Sequence, residues 1–187
     1  MGDIQTTAVE LKGLLDELLE EFKAILKGRD RDKLSQSERR LYVRSTFATI
    51  EAVIYVMKQI ALASHPDPKC QTISEADRAF ALEQAYKLTD SGDVEARPTK
   101  IALEANIRFA FKLLAKATSV SDVLDVSGAG WQSFQRAVKV RDRITHPKRV
   151  SDLTIADSEY ADVSAAFKWL LISHLKLGNE IKAASLR

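Results

Sequence analysis

The chain has 187 residues, 45% of them hydrophobic and 29% charged, with only 7 Gly, 4 Pro and a single cysteine, Cys70. That composition describes a soluble globular protein of one or two domains built from few, long helices, and it excludes a collagen repeat, an all-β sandwich with many tight turns and an internal disulfide. Lys and Arg number 28 against 26 acidic residues, a net charge of +2, so a site for a polyanion must be a local feature.

A chain of this size can bury roughly 70% of its unfolded surface, enough for a core without metal or disulfide support. No uninterrupted apolar run of about 18 residues is readable, so no membrane span is expected. The start MGDIQTTAVE lacks the basic and compact apolar regions of a leader, and a reducing cytoplasm is the expected location.

From Ile4 to Lys27, Leu11, Leu14, Leu15, Leu18, Leu19, Phe22, Ile25 and Leu26 recur in three- and four-residue steps, the period of an amphipathic helix. After the polar stretch GRDRDKLSQS, Ser35 and Glu38 form an S-x-x-E capping box for a second helix that runs to about Ser64 and stops at HPDP. Between Ala48 and Leu62 this helix is apolar on nearly every side, which places it at the centre of a bundle. Ser74 and Asp77 cap a third helix carrying Ala76, Phe80, Leu82, Ala85 and Leu88, and the loop TDSGDVEAR closes it. Pro98 suits the first turn of a fourth helix through Ile101, Ile107, Ala110, Phe111 and Leu114. A fifth begins near Trp131 after Gly128 and Gly130 and ends at Pro147. Thr154 and Asp157 cap a last helix with Tyr160, Val163, Phe167, Leu170, Leu171 and Ile181. No strand pattern or repeat is readable. The expectation is an all-α, antiparallel up-and-down bundle of five to six helices forming one domain over 1–187, with residues 4–28 as an accessory helix.

The fifth helix carries the chemistry. At about 100° per residue with Trp131 as origin, Phe134, Ala137, Val138, Val140 and Ile144 occupy an apolar arc from roughly 180° to 340°. Arg136, Lys139 and Arg143 cluster at roughly 80° to 140°, a solvated face, but Arg141 falls near 280°, inside the apolar arc. A charge there requires a carboxylate, a cavity or a partner chain. His146 would point about 140° away from Arg141 on an unbroken helix, so the two converge only where Pro147 breaks the helix or a second copy intervenes. Arg136, Lys139, Arg141, Arg143, Lys148 and Arg149 are opposed within that stretch by Asp142 alone, a local positive field suited to phosphate.

The segment R-D-R-I-T-H-P at the end of an amphipathic helix in an all-α chain resembles the HEPN (higher eukaryotes and prokaryotes nucleotide-binding) domains, whose motif is R-x(4–6)-H. Asp142 fills the place after the arginine where the family has a small polar residue. The likeness covers residues 37–185 as a HEPN-like core, and only the motif is sequence-specific. It implies a metal-independent endoribonuclease that dimerises so that two motifs line one cleft, and a toxin or phage-defence setting. RNA is the implied substrate, with no cofactor, and an antitoxin or inhibitor protein is a further implied partner. In these terms His146 transfers protons, Arg141 holds the phosphate and Asp142 orients them. Arg136, Lys139, Arg143, Lys148, Arg149 and Glu51 are the expected substrate-binding residues. In toxins silenced by nucleotide transfer the motif continues to a tyrosine two residues after the histidine; Lys148 stands there, so modification at that position has no support.

Alternatives remain on the residues themselves. Arg44, Glu51 and Lys58 recur every seven residues on the second helix, so Glu51 either faces the Arg141 site or belongs to a solvated stripe or structural pair. In a structural reading Arg141 pairs with Glu51 and His146 caps the helix C-terminus. His65, Asp67 and Cys70 lack further ligands, so no metal is expected. His174 reads as a hydrogen-bonded core or surface histidine, Gly128 and Gly130 as a helix start, and Trp131 as core. The rival function is a catalytically silent RNA- or nucleotide-binding, or protein-interaction, helical module.

Overall fold

The computed structural model describes residues 2–27, 34–65 and 72–186. The elements are α1 (Gly2–Leu26), α2 (Gln36–Ser64), α3 (Glu75–Ala81), β1 (Gln84–Leu88), β2 (Val94–Pro98), α4 (Leu103–Ala117), α5 (Ala129–Thr145), a 3-10 turn (Val150–Leu153) and α6 (Asp157–Ala184). The protein is 71% helical, and its fold class is that of a mostly all-α helical bundle with one small two-stranded sheet. The chain divides into two compact units, one made of Val9–Val53 and Leu124–Lys176, the other of Met1–Ala8, Ile54–Val123 and Leu177–Arg187.

In the first unit α1, α2, α5 and α6 close over an aromatic core. Phe22 lies 5.1 Å from Tyr42 and 4.9 Å from Phe167, Phe47 meets Phe134 at 6.5 Å, and Trp131 packs on both Phe134 and Trp169. The capping box at Ser35 forms as expected, with its amide donating to Glu38 Oε2 at 2.8 Å and its hydroxyl accepting from the Glu38 amide. α6 starts differently from the expectation: the helix opens at Asp157, and the Ala156 amide is held by Glu159 Oε2 at 3.0 Å. The acid three residues after the cap is therefore Glu159, and the box at Thr154 and Asp157 is not the start of the helix.

In the second unit the Ser74 and Asp77 capping box is present in both directions, at 3.0 and 3.1 Å. The third helix, however, stops at Ala81, and Ala85 and Leu88 belong to β1. Glu83 turns the chain with φ 55°, and β1 pairs antiparallel with β2 in the register Gln84 to Pro98 through Leu88 to Val94. Thr89 and Asp93 close the hairpin, with Gly92 at φ 86° in the left-handed position that its three-residue loop requires. Pro98 ends β2 rather than opening a helix, a place where its missing N–H is tolerated, and α4 begins at Leu103.

α2 is long and apolar enough to cross a membrane by length and composition, and 56% of its most apolar window is buried inside the protein, as in a core helix. It is not apolar on every side. Leu41, Arg44, Ala48, Glu51 and Tyr55 form an exposed stripe along it, in three- and four-residue steps. Lys58, on the same seven-residue spacing, is fully buried and donates to Glu83 at 2.7 Å and Asn106 at 3.3 Å.

Candidate functional site

α5 begins on an Asx turn. The Asp125 carboxylate accepts from the Ser127 amide and hydroxyl and from the Gly128 amide at 2.8 to 3.1 Å, so Gly128 enters the helix with its amide satisfied. These three donors, the Ser127 amide first, hold the Asp125 carboxyl below its ordinary range. The next glycine has a packing role: a Cβ on Gly130 would lie within 2.7 Å of Cδ1, Cγ and Cβ of Trp169, whose indole N–H donates to the Asp125 carbonyl.

At the other end α5 stops at Thr145, and His146 is its C-cap, with φ −123° and its amide donating to the Asp142 carbonyl. Pro147 follows and prevents a further helical residue, as the sequence indicates. The His146 side chain is exposed and has no hydrogen bond among the described residues. One residue earlier, the Thr145 hydroxyl donates to the Arg141 carbonyl at 2.7 Å.

Arg141 is not buried in the apolar arc. Its side chain is 33% exposed, and its guanidinium donates to Glu51 Oε1 at 2.5 Å and to Asp142 Oδ1 at 3.0 Å. Three of the expected residues, Arg141, Asp142 and Glu51, thus meet where α5 crosses the exposed stripe of α2. The charge that the helix wheel placed among apolar side chains lies at the edge of the packing and is met by two carboxylates, which removes the penalty of an unpaired cation.

The remaining basics are dispersed. Arg136 makes a two-pronged pair with Asp162 at 2.8 Å and donates to Ser133. Arg143 grips both oxygens of Glu159 at 2.7 Å and the carbonyls of Asp152 and Thr154 at 2.8 Å. The face expected to be solvated therefore binds α5 to α6 through two arginine clamps, with Lys139 exposed beside them. Arg149 pairs with Asp152 at 3.3 Å, and Lys148 is exposed with no ion pair among the described residues. Four of the six basics between Arg136 and Arg149 are each opposed by a carboxylate, so the local field is weaker than the sequence count implies. The Arg136 hydrogen bond, against the effect of burial, holds the Asp162 carboxyl low; at Asp152 the Lys148 amide does the same.

Sequence reasoning does not single out the neutralising acids Glu159 and Asp162. The available signal is their three-residue spacing on one face of α6, opposite Arg136 and Arg143 two turns apart on α5. Arg44 is legible in sequence only as part of a stripe; its Nη2 reaches the Ile144 carbonyl at 3.5 Å. Of the other candidates, His65 Nε2 shares a 2.8 Å hydrogen bond with the Ala117 carbonyl, while Asp67 and Cys70 lie outside the described residues. Among the described residues no three His, Cys, Asp or Glu side chains converge as a metal-ligand group. His174 departs from the expected hydrogen-bonded histidine: its Nδ1 is buried with no partner, and burial lowers its pKa. Trp131 is core, 4% exposed.

No family model, curated protein or solved structure matches the chain.

Proposed function

We propose that this chain is a metal-independent endoribonuclease of HEPN type that works as a homodimer, with Arg141 and His146 acting on the RNA phosphodiester. The observation that carries the reading is the arrangement at the end of α5: Arg141 held by Glu51 at 2.5 Å and by Asp142 at 3.0 Å, with His146, its imidazole exposed, as the C-cap residue of the same helix. RNA brings its own nucleophile. His146 takes the proton of the 2′-hydroxyl, the 2′ oxygen bonds to phosphorus, and the bond to the 5′ oxygen breaks. The leaving oxygen receives a proton from the imidazolium so formed or from its equivalent in the second copy, and the products are a 2′,3′-cyclic phosphate and a 5′-hydroxyl. Arg141 stabilises the charge that develops on the phosphorane, and its two carboxylates fix the orientation of its guanidinium. The toxin or phage-defence setting rests on the motif resemblance alone, as does an antitoxin or inhibitor partner.

Purified protein is incubated with end-labelled RNA in EDTA, wild type beside His146→Ala and Arg141→Ala. Cyclic-phosphate ends from wild type and a loss of at least about 100-fold in each folded variant are expected, within the range for removing a proton-transfer group or a charge-stabilising donor. Equal cleavage by all three would sink the catalytic assignment. The same two carboxylates favour one rival, a catalytically silent RNA- or nucleotide-binding or protein-interaction module, because they offset the Arg141 charge; binding without cleavage is its signature.

A further inference from the structure

The charges around the α5 end do not favour the motif arginine as the main attraction for a polyanion. Arg141 carries one positive charge and touches two carboxylates, so that group of three side chains has a net charge of −1 when all are ionised. An RNA phosphate approaching it meets Glu51 and Asp142 as well as the guanidinium. Arg149, Arg143 and Arg136 are each spoken for by Asp152, Glu159 and Asp162.

Among the described residues three cations here have no such opposition, the exposed Lys139 and Lys148 and, on α2, Arg44, whose guanidinium alone of the three offers a fork of N–H donors. Arg44 is exposed, lies two turns before Glu51 on the α2 stripe, and has no carboxylate partner among the described residues. Its only hydrogen bond among them is a long one, 3.5 Å from Nη2 to the Ile144 carbonyl, in the last turn of α5. That carbonyl is two residues before His146, whereas Glu51 holds Arg141 a helical turn further into α5. Between Arg44 and Glu51 the stripe carries exposed Ala48, a side chain of one methyl group.

We propose that Arg44 is the phosphate-binding residue of this site: it takes the RNA backbone phosphate beside His146, while Arg141 is kept oriented by its carboxylates for the transition state. This rests on the ribonuclease reading, and it makes a distinction that reading lacks, between the residue that holds RNA and the residues that turn it over. Arg44 offers a fork of N–H donors to a phosphate at the loss of one weak carbonyl contact. Arg141 would have to give up or share two charge-assisted bonds to do the same.

The test uses the full-length protein and two readouts. Binding is measured by fluorescence anisotropy with a 2′-O-methyl RNA oligonucleotide, which lacks the nucleophile, over a series of salt concentrations. Arg44→Ala should weaken binding about tenfold and reduce the salt slope by about 0.7, the release expected for one phosphate contact on a single strand. Arg44→Lys should keep the slope, because it keeps the charge. Ala48→Trp should weaken binding without changing net charge. On cleavable RNA, Arg44→Ala should raise KM with kcat within about threefold of wild type, whereas His146→Ala lowers kcat. Unchanged affinity and slope in a folded Arg44→Ala variant would overturn the proposal. Loss of 2′-O-methyl RNA binding in Arg44→Ala, with no cleavage by wild type, would keep Arg44 as the phosphate ligand and remove the nuclease reading instead.

Discussion

The Glu51 carboxylate receives a 2.5 Å hydrogen bond from Arg141, a residue ninety positions away in the chain. Arg141 is 33% exposed and Glu51 46%, so solvent screens the pair and its contribution to stability is small. Its effect is orientation: with Asp142 on the other terminal nitrogen, the guanidinium has one preferred position.

Glu51→Gln should therefore separate stability from function. Unfolding in urea should shift by less than about 1 kcal/mol, while RNA cleavage falls well beyond what that shift accounts for. An activity loss no greater than the stability loss would assign the pair to scaffolding alone.

Gly130→Ala tests the α5 to α6 packing. Alanine favours a helix over glycine by about 1 kcal/mol, yet its Cβ would overlap the root of the Trp169 side chain, within 2.7 Å of three of its carbons. That part of the indole cannot swing aside, because Nε1 is tied to the Asp125 carbonyl and the ring lies against Trp131 and Phe134. A net destabilisation of about 1–3 kcal/mol is expected, read by urea denaturation and by the near-ultraviolet dichroism of the tryptophans. A stabilised variant would mean that Trp169 repacks freely.

Lys58 and Glu83 should respond asymmetrically. Lys58 is 0% exposed in its side chain and Glu83 is 51% exposed, so removing the glutamate strands a buried ammonium with Asn106 as its remaining contact. Glu83→Ala should cost about 3 kcal/mol, whereas Lys58→Met, which keeps volume and removes the charge, should cost less than about 1.5 kcal/mol. Thermal unfolding of the two variants decides the order, and the reverse order would contradict the burial of the amine.

Stability should fall with acid in two stages. Burial lowers the His174 pKa from 6.5, so the fold favours the neutral ring. The unfolded chain binds the proton first; the contribution is full above pH 6.5 and declines as pH drops below it. His174→Gln should flatten the urea midpoint between about pH 7.5 and 5.5. The second stage belongs to carboxylates held low: Asp162, chiefly by Arg136, and Asp77, where burial opposes the shift but Lys116 and Ser74 together outweigh it. Their contribution is complete above about pH 4, the ordinary range, and is lost as pH falls through their lower folded values. A midpoint independent of pH across the first stage in wild type would contradict the burial of the His174 ring.

Much of this fold is legible in the chain because it is written in short-range chemistry. The boxes at Ser35 and Ser74 lie within four residues, and Pro147 acts on its neighbour. The hairpin is not legible in the same way. Phe80, Leu82, Ala85 and Leu88 satisfy a helical period by coincidence, and every residue of β2 is exposed, so no alternation of buried and exposed positions marks the strand. The telling feature is TDSGD, a turn with glycine at its left-handed position, which serves a hairpin as readily as a helix end.

At the site the division is similar. Residue order alone determined that an arginine, an acid and a histidine end one helix, and that Arg44 and Glu51 share a face of another, because helical periodicity is a property of neighbours. Only the tertiary structure decided that Glu51 takes Arg141, that Asp162 and Glu159 take Arg136 and Arg143, and that Arg44 is left without a carboxylate among the described residues. Ion pairing depends on which side chains come within about 4 Å, and that distance is set by packing between helices far apart in the chain.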